Sequence, residues 1–174
     1  NADPSTFNRL LAFDFNSALI PDRLSADLLH INRVTQELEP SLASSWETKD
    51  GRAYTLHLRR GLRFSDGTPL TIDDVLFSFQ IIQDPNVHSV FSDVLRVDGK
   101  FPTISKANDH TLNITFPRTV GVGLRGLDSL SILPKHQLQK AYQNGSFSSA
   151  WSPSTSPAEI VGMDPGDVLT PVPH

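Results

Sequence analysis

Apolar and polar positions alternate in two separate stretches of the chain, and a third stretch repeats at helical spacing. In the first, Tyr54, Leu56 and Leu58 are interleaved with Thr55, His57 and Arg59, the period-2 pattern of a half-buried strand. Asp50-Gly51 stands just before it, so the spacing predicts a turn and a hairpin with the preceding segment. In the second, Leu112, Ile114 and Phe116 alternate with Thr111, Asn113 and Thr115 until Pro117 stops the strand. Between them, Ile72, Val75, Leu76, Phe79 and Ile82 form one apolar face at spacings of three and four. Thr71 is placed to N-cap that helix, with Asp73 and Asp74 at the positive end of its dipole. Asp66-Gly67 reads as a turn before it, and Asp84-Pro85 ends it.

Outside these three stretches the pattern is weaker. Phe7, Leu10, Leu11, Phe13 and Phe15 have no clean period, which suggests a buried loop feeding a short helix around Pro21–Leu29. Leu28–Val34 reads as a short strand. "LEPSLASSWETKDG" reads as a loop anchored in the core by Trp46. "SILPKHQLQKAYQNG" predicts a short strand and then a helix from Lys135 to Gln143, with Gly145 at its C-terminal cap. Beyond Ser146 the chain turns to Ser, Pro and Gly. Mixed elements with antiparallel pairs make the fold class α+β, a mixed and largely antiparallel sheet with packed helices.

Composition narrows the function classes. The 174 residues carry a formal charge of −4, and the only basic cluster is Arg59, Arg60 and Arg63, so no nucleic-acid partner is expected. There is no cysteine, which excludes disulfides, thiolate catalysis and cysteine-ligated zinc. No run approaches the roughly 18 apolar residues of a membrane span. The chain opens at Asn1 rather than Met, which leaves room for a removed export signal.

Candidate chemistry is sparse. "GVGLRG" (Gly121–Gly126) matches a dinucleotide-binding pattern, but it stands off its strand, lacks an acidic residue before a second parallel strand about 20 residues on, and lacks βαβ alternation. The six histidines, His30, His57, His88, His110, His136 and His174, form no H-x-x-H or H-E-x-x-H pair. No metal or other cofactor is therefore assigned, although a metal site assembled by tertiary contact stays open. Asp73 and Asp74 point about 100° apart on a helix and suit capping better than a shared proton. No catalytic set emerges, and the chain is read as no enzyme.

"LEPSLASSWETKDGRAYTLHLRRGLRFSDGTPLTIDDVLFSFQ" resembles the signature region of the extracellular solute-binding proteins of family 5, the dipeptide-, oligopeptide- and nickel-binding receptors of ABC importers. The pieces fall in order: P-x-L-A-x-x-W at Pro40–Trp46, the Asp50-Gly51 turn, Y-T-x-x-L-R-x-G-x-x-F at Tyr54–Phe64, and D-G-T-P-L-T-x-x-D-V at Asp66–Val75. "DPSTFNRLLA" upstream and "DHTLNITFPRT" and "SILPKH" downstream are similar to family segments. The resemblance implies the N-terminal lobe of a periplasmic binding protein-like fold. Residues 1–160 would be lobe, with 29–145 an extra α+β sub-domain, and 146–174 a Pro/Ser/Gly-rich tail. "GMDPGD" (Gly162–Asp167) departs from the family's G-T-G-P-[FY] element.

The same resemblance implies a truncated portion without the second lobe that closes over ligand. Its partners would be a peptide or similar small solute and, for the full-length protein, a membrane permease, in the periplasm or another extracytoplasmic space. Whether the full-length form is membrane-associated stays open. By position, Phe13, Asp14 and Phe15 in "AFDFN" resemble the family's cleft edge, where extended peptides bind, and Phe91 resembles a position where members carry an aromatic facing the ligand. Two alternatives remain: a structural or interaction domain with no affinity of its own, and a nucleotide-dependent enzyme built on Gly121–Gly126.

Overall fold

The structure is a computed structural model, and it describes residues 5–13, 17, 26–119, 123–128 and 130–155. Its centre is a four-stranded sheet of β3 (Ala43–Thr48), β4 (Ala53–Leu58), β5 (Thr103–Asn108) and β6 (Thr111–Thr115), in the order β3-β4-β6-β5 with every pair antiparallel. A separate hairpin pairs β1 (Leu29–Ile31) with β2 (Leu38–Pro40). The helices are α1 (Ile72–Gln83), α2 (Ser92–Leu95) and α3 (Lys135–Gln143), with 3-10 turns at Arg9–Leu11, Gly123–Leu127 and Phe147–Ser149. The α+β class holds.

Register sorts the sheet's two faces. Trp46, Leu56 and Leu112 stand opposite one another across three strands, and Tyr54, Ile114 and Ile104 do the same one step along. Leu56, Leu112 and Ile114 are fully buried there. The other face carries Glu47, Thr55, Asn113 and Ser105 in one row and Ser45, His57 and Thr111 in the next. His57 faces outward as its alternation requires. Thr55 Oγ1 donates to Asn113 Oδ1 at 3.1 Å across that polar surface.

The hairpin turn is built as Asp50-Gly51 requires. Asp50 Oδ1 accepts the amides of Ala53 at 2.8 Å and Arg52 at 2.9 Å, and Gly51 takes φ +66°. Those amides, Ala53's first, hold the Asp50 carboxyl below its usual range.

Helix α1 starts where Thr71 caps it, and the capping box closes through Asp74 rather than a Glu. Its apolar residues pack on the sheet side and towards α3, so it is buried on more than the one face the periodicity showed: Phe77 and Ile81 are buried as well as Ile72, Val75, Phe79 and Ile82. Two polar side chains four residues apart, Asp74 and Ser78, are buried with them. They serve the next segment. Asp74 Oδ1 accepts the Lys135 amide at 3.0 Å while Oδ2 accepts the Thr71 amide at 2.9 Å. Ser78 Oγ accepts the Leu133 amide at 2.8 Å and donates to the Asp74 carbonyl at 2.8 Å. One carboxylate therefore terminates two helices. Helix α3 needs it, because Pro134 at its N-cap offers no side-chain cap.

Three expectations change. The "LEPSLASSWETKDG" stretch holds strands β2 and β3 rather than a loop, with Trp46 only partly buried against the core. Most of the helix expected around Pro21–Leu29 lies outside the described residues, but its end is extended: Asp27 bridges Ser131, and Leu29 opens β1. Leu28 and Leu29 are both fully buried, a two-sided burial that suits a strand between neighbours. The strand expected at Leu28–Val34 stops at Ile31, because Asn32 Oδ1 accepts the amides of Val34 and Thr35 and turns the chain.

Candidate functional site

Residues 7–10 are tied into the fold at two points. The Phe7 amide donates to the Trp151 carbonyl at 2.8 Å, and the Asn8 side chain accepts the Leu10 amide and caps the Arg9–Leu11 turn. The Leu10 carbonyl then accepts the Val90 amide at 3.0 Å. This bond joins the strip that carries Phe13 to the strip that carries Phe91, 78 positions further on by number (91 minus 13).

The two aromatics are placed very differently. Phe13 is 75% exposed, among the most exposed large apolar side chains described. Phe91 is 6% exposed, part of the core, and roofed by the Arg9 guanidinium 4.9 Å from its ring centre. Asp14 and Phe15 lie outside the described residues. Arg9 is the residue the pattern missed, and only the tertiary contact with Phe91 reveals it. Asn8 is fully buried, and its Nδ2 has no hydrogen-bond partner among the described residues. That orphaned donor lies in the same strip.

The glycine pattern does not build a phosphate cradle. The strand before it, β6, is antiparallel to both of its neighbours, and Gly123–Leu127 forms a 3-10 turn rather than the start of a helix. Gly121 and Val122 lie outside the described residues. Gly123 is needed for close packing: a Cβ there would come 2.5 Å from Tyr54 Oη, and its φ is +37°. Among the described residues, that geometry lacks the strand-turn-helix a dinucleotide fingerprint needs.

Comparison with known proteins settles the family. Residues 37–166 match the model of the bacterial extracellular solute-binding proteins, family 5 Middle. The chain belongs to that family. It is 32% identical over 149 residues to the periplasmic oligopeptide-binding protein OppA of Salmonella typhimurium, covering 76% of this chain and 26% of OppA. It is 32% identical over 155 residues to heme-binding protein A of Haemophilus influenzae, covering 79% of this chain and 27% of that protein. Among solved structures, the periplasmic binding protein DppA of Helicobacter pylori in complex with the peptide STSA superposes with a TM-score of 0.65 at 27% identity, covering 85% of this chain and 32% of DppA. The chain thus spans about a quarter of the length of the curated relatives it matches.

This is a family of solute-binding proteins, and several matched positions in this chain have structural roles. Asp50, Gly51, Thr71 and Asp74 are turn and cap residues. Relatives are named periplasmic, and no helix among the described residues is long and apolar enough to cross a membrane.

Proposed function

We propose that this chain supplies part of the N-terminal lobe of an extracytoplasmic receptor that delivers peptides to an ABC importer, and that it catalyses no reaction. The observation that carries the reading is the family match over residues 37–166, alongside relatives named for oligopeptide binding and a neighbour solved with a peptide. The membrane permease is its partner in the full-length protein. Residues 1–160 are assigned to the lobe, with 29–145 as the α+β sub-domain and 146–174 as a tail.

The solute meets the chain along the strip that begins at Arg9. Phe13 presents an apolar ring to water, and covering it with a ligand side chain would recover about 25 cal/mol for each Å² removed from solvent. Asp14 and Phe15, next in the sequence and outside the described residues, are assigned to the same site, where an extended peptide would add main-chain hydrogen bonds. Phe91 acts from behind, as the platform on which Arg9 rests. A thermal-melt screen against mixed di- and oligopeptides tests this. Ligand at 100 times its dissociation constant stabilises a binder by about 2.7 kcal/mol, and an unchanged melt across the pool contradicts the proposal.

The burial of Phe91 beneath Arg9 also favours a second reading, in which this piece is scaffold alone and affinity resides elsewhere in the full-length protein. Loss of peptide binding on truncating Phe13 distinguishes the two.

A further inference from the structure

We propose that Asp27, His30 and Asp128 form a binding site for one divalent transition-metal ion of the zinc class. Sequence spacing concealed it, because Asp128 reaches β1 across 97 positions from Ile31. The three side chains come from three anchored backbones. Asp27 bridges Ser131, and its carbonyl accepts the Leu42 amide at 3.0 Å. His30 is the middle residue of β1. Asp128 closes the Gly123–Leu127 turn, its amide donating to the Arg125 carbonyl.

One ligand atom from each residue lies within 4.8 Å of the other two. His30 Nδ1 is 3.5 Å from Asp128 Oδ1 and 3.8 Å from Asp27 Oδ2. Both separations are too long for the N–H···O hydrogen bond a simple His–Asp pair would make. They suit atoms sharing an ion: bonds of 2.0–2.2 Å in a tetrahedron put neighbouring donors about 3.4 Å apart. Imidazole with two carboxylates is a zinc-class donor set rather than a calcium or magnesium one.

The surroundings are those of a ligand carboxylate held by outer partners. Asp128 Oδ1 accepts the Ile31 amide at 2.8 Å, and Oδ2 accepts Arg33 at 3.1 Å. Three protein donors leave the fourth position of the ion open to water or solute. Among the described residues, the other histidine–carboxylate contacts, His57 with Glu47 and His136 with Asp66, bring one carboxylate each.

Zinc ion alone, titrated calorimetrically into the intact chain and followed with cobalt ion by visible absorbance, tests the proposal. One ion per chain is expected, with His30→Ala and Asp27→Asn each weakening it at least tenfold. His57→Ala and His136→Ala should leave it unchanged. His30 is 44% exposed, so its metal-free variant should melt with the parent, and Asp27→Asn serves should it not. Asp128 is left intact because it also holds Ile31 and Arg33. No saturable binding by the parent chain, or binding indifferent to both His30→Ala and Asp27→Asn, overturns the assignment.

Discussion

Replacing Asp74 with Ala removes one acceptor from two helix starts. The carboxylate takes the Thr71 amide at 2.9 Å, the Thr71 hydroxyl at 3.0 Å and the Lys135 amide at 3.0 Å, and the residue is only 6% exposed. A net hydrogen bond to a charged group contributes about 1.5–3 kcal/mol, and an N-cap about 1 kcal/mol. Water can reach the part-buried amides once the side chain is cut, so the low end applies, and Asp74→Ala should cost about 3 kcal/mol. For a domain of this length that is a drop of roughly 6–12 °C in Tm. Asp73 is the internal control, one position away and half-exposed beside Lys106 at 3.3 Å. Asp73→Ala should cost less than about 1 kcal/mol, the range of an exposed pair and a dipole term. Urea unfolding of both variants, read as midpoints at constant slope, makes the comparison. Equal losses in the two variants would refute the double-cap reasoning.

Gly123→Ala should destabilise by about 2–3 kcal/mol, since the new methyl meets Tyr54 Oη and the backbone is left-handed there; adding Tyr54→Phe should recover part of that loss by denaturant titration. The Asp84 carboxyl is held below its usual range, first by the Tyr142 hydroxyl 2.6 Å away. A depressed carboxylate stabilises above its unfolded value near 4 and loses that contribution as pH falls. The stability gap between the parent and Tyr142→Phe should therefore close on acidification in pH-resolved melts. Tyr142 is itself raised by Asp84, so the gap should also close as pH rises through the folded phenol's range. Phe13→Ser should leave the melt within about 0.5 kcal/mol, as an exposed substitution, while lowering peptide affinity measured by calorimetry.

Where local chemistry and tertiary demand agreed, the fold could be read from the residues alone. Thr71, the two aspartates and the Ile72–Ile82 spacing defined α1, because capping and periodicity are local properties. Tyr54–Leu58 and Leu112–Phe116 alternated because one sheet face is buried and the other polar. Strand β5, "TISKAN", was invisible: it has one partly buried apolar residue, Ile104, and becomes a strand only by pairing with β6. Strand β3 was legible only as the hairpin partner that Asp50-Gly51 implied, its own Ser, Glu and Thr positions reading as loop. Cap residues gave the family signature its legibility. The Arg9–Phe91 contact and the Asp27–His30–Asp128 cluster were hidden, since both join segments far apart in the chain.

Peptide titration followed by amide NMR tests the central claim most directly. If the chain carries the solute edge of a family 5 receptor, a peptide that raises the melt should shift amides at 9–13 and 89–92 and leave Thr55, Asn113 and Ser105 on the polar sheet face in place. Saturating peptide that shifts nothing, or that shifts only the sheet face, would contradict it.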